Sequence, residues 1–127
     1  MRTVKYFVLA ALTLGALGGL AAYQAADNDK PKYSIEEIMD KAHKGKNSLL
    51  KKVVTGKADG DQKKELLGLY QDLAKNKPEK GSQDDWKRRT TAMVGAAKEV
   101  VEDKPDAGKK LAKAVNCKGC HDLHRGQ

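Results

Sequence analysis

Apolar residues recur at helical spacing along most of the chain, and the interruptions between these runs mark the ends of helices. The first run begins after Ser34, which fits a capping box with Glu37. Its apolar positions are Ile35, Ile38, Met39, Ala42, Leu49, Leu50, Val53 and Val54. Glycine at position 56 and the polar stretch after it end the run. The pattern therefore predicts one long first helix between Ser34 and Gly56.

Three more helices follow from the same periodicity. The second begins near Asp61 and ends at the loop of residues 76–81. The third begins after Ser82, and its apolar positions repeat at alternating four- and three-residue steps, as in a bundle seam: Trp86, Thr90, Met93, Ala97 and Val100. The fourth runs from about Pro105 to His124. Its apolar side is formed by Leu111, Ala114, Val115 and Leu123.

Four amphipathic helices with short connections predict an all-α fold, an antiparallel four-helix bundle of up-down-up-down topology over residues 34–127. Residues 23–33 are expected to be a flexible lead-in. The composition agrees, because only 5% of the 127 residues are aromatic and 33% are charged. So small a core leaves little room for a deep catalytic pocket, and we do not expect an enzyme.

The first 22 residues have a different pattern. Arg2 and Lys5 precede an uncharged, mostly apolar run over residues 6–22, and small residues end it. This is the layout of a secretory signal peptide, and the run is shorter than the roughly 20 residues that span a membrane. Residues 1–22 are thus predicted to be a cleaved signal peptide, with a retained membrane anchor as the alternative. Both interpretations place the domain outside the cytoplasm, in the periplasm.

Both cysteines of the chain lie in Cys117-Lys118-Gly119-Cys120-His121, the attachment signature of c-type haem. Two thiols one helical turn apart can add to the two vinyl groups on one porphyrin edge. His121 follows directly, so its imidazole can reach the iron from the same side. We therefore expect one covalently bound haem c. Export is consistent with this, because c-type haem is attached outside the cytoplasm.

Two haem-free alternatives use the same residues. A disulfide between Cys117 and Cys120 would suit a thiol oxidoreductase, but in those proteins the motif follows a strand, and no strand is predicted. A zinc site from these cysteines with His121 and His124 has suitable ligand types, but lacks the second half of the usual zinc spacing. His124 is expected near the surface.

The C-terminal residues resemble the class II c-type cytochromes, the cytochrome c-prime type and its low-spin relatives. The resemblance rests on Cys117, Cys120 and His121 at the very end of an exported four-helix chain, with Arg125 one turn later. It implies a covalent haem at one end of the bundle, His121 as the proximal iron ligand and Arg125 near the proximal side of the haem. Two features depart from the family. An aromatic residue usually stands where this chain has His124, and the first helix carries only lysine where the family tends to have arginine near the haem propionates.

The topology predicts where a second iron ligand would lie. In an up-down-up-down bundle, the start of the first helix lies beside the end of the fourth. Met39 and His43 share one face of the first helix, and only one of them can reach the iron. Met39 is the expected ligand, because a thioether opposite histidine gives low-spin haem with a raised potential that suits electron transfer. The alternatives are His43 and an open site that binds small gases such as NO and CO. Met93 and Trp86 are expected to wall the haem pocket.

The charge of the chain bears on its partners. The net charge is +8, and it falls to +6 if Arg2 and Lys5 are removed with the signal peptide. Lysines along helix faces usually form a solvated surface. Around an exposed haem edge, a basic rim would steer an acidic redox partner protein. Nucleic acid is not expected as a partner, and membrane contact is expected only if the N-terminal segment is retained. The family resemblance also implies a homodimer through the first two helices.

Overall fold

The computed structural model describes residues 29–126, which are all-helical apart from turns and loops and contain no β-strand. Six helices lie in this range: α1 (Ile35–His43), α2 (Leu49–Val54), α3 (Gly60–Lys75), α4 (Gln83–Val101), α5 (Ala107–Ala114) and α6 (Cys117–His124). The all-α prediction is confirmed. The predicted signal peptide and residues 23–28 of the lead-in lie outside the described residues. Within residues 29–126, no helix is long and apolar enough to cross a membrane.

The second and third predicted helices have the expected bounds, as α3 and α4. The N-cap predicted at Ser82 is confirmed, since its Oγ accepts a hydrogen bond from the backbone N–H of Asp85 at 3.1 Å. All of the predicted seam positions of α4 are buried. Long runs with one uninterrupted period and clear caps thus fold as their pattern indicates.

The first predicted helix is in fact two helices, separated by residues 44–48. Gly45 has a φ of +88°, a left-handed conformation that breaks the helix. Ser48 then starts α2, because its Oγ accepts a hydrogen bond from Lys51 N–H at 3.2 Å. The apolar period runs across the break because Ile38 on α1 and Val53 on α2 both contribute to one core. The predicted capping box of Ser34 and Glu37 at the start of α1 is confirmed.

The predicted fourth helix is also two helices, α5 and α6. At Val115 and Asn116 the ψ angles are 79° and 86°, so the backbone leaves the helical region and the cysteine motif begins a new helix. Because of this break, the apolar face of α5 does not continue along α6. Leu123 was predicted on the apolar side, but it is 46% exposed, whereas Leu111 on α5 is fully buried.

Helix α4 lies at the centre of the packing. It contacts α3, α5 and α6, while α1 and α2 pack against each other and against α3, and α2 also contacts α5. The largest fully buried side chains are Tyr70, Ile38, Leu66, Leu73, Leu111 and Thr90.

A buried carboxylate on α3 holds the chain that precedes α1. Asp72 is 6% exposed and accepts hydrogen bonds from the backbone N–H groups of Lys32 at 2.7 Å and Tyr33 at 2.6 Å. The Asn76 side chain donates to the Tyr33 carbonyl at 3.0 Å. These bonds satisfy partly buried backbone groups and join the segment before α1 to α3.

Candidate functional site

A cavity of about 690 Å³ opens at the end of the molecule where α1, the start of α4 and α6 meet. Its volume lies within the range of about 300–1,000 Å³ that ligand pockets occupy. All the candidate site residues from the sequence line it: Met39, His43, Cys117, Cys120, His121 and Arg125. Trp86 and Met93 line it too. The fold therefore brings residues of α1 and α6, far apart in sequence, to one cavity.

Local geometry on α6 accounts for the positions of the two thiols. Asn116 accepts a hydrogen bond from Gly119 N–H at 2.9 Å, so the helix starts at Cys117 and Cys120 lies one turn later. Cys117 and His121 are exposed, and Cys120 is half-buried. Burial raises the pKa of the Cys120 thiol. Cysteines that act in thiol redox chemistry usually have a lowered pKa, so Cys120 lacks that property.

Met39 and His43 approach the cavity from α1 in different environments. Met39 is half-buried and packs against the hydrophobic core. His43 Nε2 lies 2.9 Å from the hydroxyl of Tyr70, a side chain that is fully buried. Burial raises the pKa of Tyr70, so its hydroxyl stays protonated and can donate to His43. Burial, and secondarily the neighbouring His121, lower the pKa of His43, so its imidazole is neutral at pH 7.

His124, which was expected near the surface, is only 4% exposed. Its Nδ1 lies 3.0 Å from the carbonyl oxygen of Lys80, and its Nε2 lies 2.8 Å from Oδ2 of Asp85. Its ring packs edge-on against Trp86, with ring centroids 5.4 Å apart. No local sequence pattern indicates this burial, because both hydrogen-bond partners of His124 come from a distant part of the chain.

Asp85, near the start of α4, has two arginine side chains and the imidazole of His124 around it. Its carboxylate accepts hydrogen bonds from Arg89 Nε at 2.6 Å, from His124 and from Arg88. The Arg89 hydrogen bond and then that of His124 hold the pKa of this carboxyl well below its usual range. The sequence signal for this cluster was limited to an acid in the first turn of a helix with arginines three and four residues later.

The side chains that line the cavity show whether it suits a ligand. Trp86 lines the cavity, but its indole Nε1–H is buried in the wall and has no hydrogen-bond partner among residues 29–126. Two thiols, an imidazole and a thioether on mainly apolar walls suit a haem c. The residues present therefore fit that group.

No set of three or more His, Cys, Asp or Glu side chains within the described residues is arranged to hold a metal ion. No family model, curated protein or solved structure matches the chain. The cavity at α1, α4 and α6 is therefore the feature of the described residues that indicates a function.

Proposed function

We propose that the protein is an exported, mono-haem c-type cytochrome that carries electrons and performs no chemistry on a substrate. Cys117 and Cys120 would bind the haem covalently, and His121 would be its proximal iron ligand. The observation that carries the proposal is the single cavity that these three residues line together with Met39 and His43. A bound haem would supply one-electron iron redox chemistry.

On this proposal, the fold is a four-helix bundle, and two of its four helices are each interrupted once. In that description, α1 with α2 forms the first helix, and α5 with α6 forms the last. The contacts of α3 with α4, α4 with α5, α1 with α3 and α2 with α5 are compatible with it. Such a bundle would bring the start of its first helix and the end of its last helix to one end of the molecule.

Met39 is the proposed second iron ligand. Its side chain lines the cavity and carries a soft thioether sulfur. His43 is the weaker candidate because its Nε2 already lies at hydrogen-bond distance from the Tyr70 hydroxyl, which leaves only Nδ1 for coordination. Methionine opposite histidine would favour low-spin iron and a raised potential.

Electrons would enter and leave near the exposed side of α6. Cys117 and His121 are exposed there, and Lys118 and Arg125 are exposed beside them. A basic rim would steer an acidic redox partner protein. Lys118 pairs with Asp122 at 2.6 Å, so this rim is less basic than the net charge suggests, and Arg125 becomes the more important cation.

Haem staining and absorption spectroscopy test the proposal. The full chain, matured with the haem-attachment machinery, should keep its haem on a denaturing gel, and replacing both cysteines with alanine should abolish the stain. The oxidised and reduced proteins should give low-spin, six-coordinate spectra that carbon monoxide does not change. Met39→Leu should create carbon monoxide binding, whereas the matched variant Met93→Leu should not, because Met93 is a buried core residue.

Other outcomes would select the alternatives. A high-spin spectrum of the unaltered protein that shifts with carbon monoxide would favour the open, gas-binding site. Loss of the low-spin spectrum in His43→Ala, with Met39→Leu unaffected, would make His43 the ligand. A denaturing gel with no haem stain would favour the haem-free thiol-redox or zinc protein.

A further inference from the structure

A hydrogen-bonded joint connects α6 to the N-terminal end of α4. It consists of His124 on α6, Asp85 on α4, and Lys80 and Gly81 in the loop between α3 and α4. His124 contacts the Lys80 carbonyl through Nδ1 at 3.0 Å and the Asp85 carboxylate through Nε2 at 2.8 Å. Among the other helices, α6 packs chiefly against α4, and these bonds join it to that helix and to the loop before it.

The hydrogen-bond partners of His124 determine its charge. A carbonyl oxygen and a carboxylate oxygen can only accept hydrogen bonds. A neutral imidazole has one N–H and one lone pair, so it would direct its lone pair at one of these two acceptors. Only an imidazolium donates to both. Arg88 and Arg89 keep Asp85 ionised, so the geometry favours a partly buried, charge-assisted pair between His124 and Asp85.

Gly81 allows the loop to come this close to α6. Its φ is +85°, and a Cβ added there would lie 2.6 Å from the Leu123 carbonyl oxygen and 2.7 Å from His124 Nδ1. Any other residue would push the loop and α6 apart. The joint therefore requires a residue without a Cβ at position 81 and a charged carboxylate at position 85.

We propose that His124 is a positioning residue for His121. As an imidazolium held by Asp85 and by the Lys80 carbonyl, it fixes the rotation of α6 about its axis. His121 lies one turn earlier on the same helix, so its imidazole direction follows that rotation. The effect on the iron rests on the proposed haem function, whereas the joint itself does not.

Nitrogen NMR of the histidine side chains tests the charge state directly. The full-length protein is reduced and kept under carbon monoxide, because the iron is then diamagnetic whether the sixth position is open or ligated. At pH 7, both ring nitrogens of His124 should carry a proton, with the signals assigned by their loss in His124→Gln. A neutral ring with a single proton would overturn the proposal.

A pair of glycine variants tests the positioning. Gly81 and Gly56 have φ values of +85° and +73°, so alanine strains the backbone at both, but nothing lies within 4 Å of a Cβ at Gly56. In the holoprotein, Gly81→Ala and His124→Gln should speed amide exchange in residues 117–124 about tenfold and shift the reduction potential. Gly56→Ala should change neither.

The outcomes separate the joint from the haem function. Equal effects of the two glycine variants on α6 exchange would refute the joint. Faster exchange with an unchanged potential and spectrum would leave His124 a merely structural residue and refute its positioning role. If no haem is attached, the proposed function fails, while the NMR and exchange results on the haem-free chain still decide whether the joint exists.

Discussion

Asp85 has a strongly lowered pKa and therefore gives the fold a defined pH dependence. Its folded-state pKa lies below the value of 3.8 that it has without these partners, first because of Arg89 and then because of His124. A depressed folded-state pKa means that the carboxylate stabilises the fold at all pH values above about 4. This contribution is lost progressively as the pH falls below that value.

Asp85→Asn should therefore destabilise the protein at pH 7 but have a much smaller effect at about pH 2, where the folded-state carboxylate itself begins to take up a proton. The measurement is urea unfolding of both proteins at the two pH values, followed by circular dichroism. Asp84→Asn is the control, because Asp84 is an exposed carboxylate in the same helical turn. A difference between Asp85→Asn and the unaltered protein that is equally large at both pH values would contradict the assigned pKa direction.

Residue identity alone indicated the chemistry of the site but not the neighbours of each side chain. Cys117, Cys120 and His121 could be named from the sequence because their spacing is local. The burial of His124 could not, since its partners Lys80 and Asp85 are about forty residues away in the chain. Burial of this kind depends on how the helices pack.

Helix α6 is the element on which the candidate site depends most, and it is short. Eight residues make a marginal helix by themselves, so its cap and its tertiary contacts have to stabilise it. Asn116 supplies the cap at the turn that contains both cysteines. The cap therefore links local sequence to the spacing of the two thiols.

Asn116→Ala should lower the free energy of unfolding by about 1 kcal/mol, the usual value of an N-cap side chain. It should also speed amide exchange at Gly119, whose N–H loses its acceptor. Asn47→Ala, at an exposed position between α1 and α2, is the matched control and should have little effect. Equal losses of stability in the two variants would show that the cap contributes nothing specific.

The two helix breaks show that apolar periodicity alone does not predict where a helix is interrupted. The apolar repeat continues across Gly45 because α1 and α2 share one core, so the pattern alone favoured one helix. At Val115 and Asn116 no glycine or proline marks the break. Its consequence, the exposure of Leu123, follows from backbone angles that composition does not report.

At the scale of the whole molecule, one small hydrophobic core positions the helices on both sides of the cavity. Leu111 on α5 is fully buried, and α5 packs against α4 and α2. The segment before α1 is fixed separately by the buried Asp72. The position of α1 relative to α6 thus depends on packing that lies away from the cavity.

Leu111→Ala should cost about 2–5 kcal/mol of unfolding free energy, through lost apolar burial and the cavity left behind. Leu123→Ala is the matched control, because Leu123 is 46% exposed, and its cost should stay within about 0.5 kcal/mol. Urea unfolding at pH 7 measures both. A similar cost for the two variants would mean that the core does not extend to α5 as described.

By itself, the sequence determined the helical class, the bounds of α3 and α4, the capping box at Ser34, and the cysteine–histidine motif with its candidate chemistry. Each of these depends on residues within a few turns of one another, where spacing and side-chain type suffice. Bundle topology predicted that Met39 and His43 lie near His121, and all three line one cavity. Only the tertiary structure decided that Tyr70 engages His43 and that His124 is buried against Asp85. Those relations join residues distant in the chain, and the packing and rotation of whole helices set them.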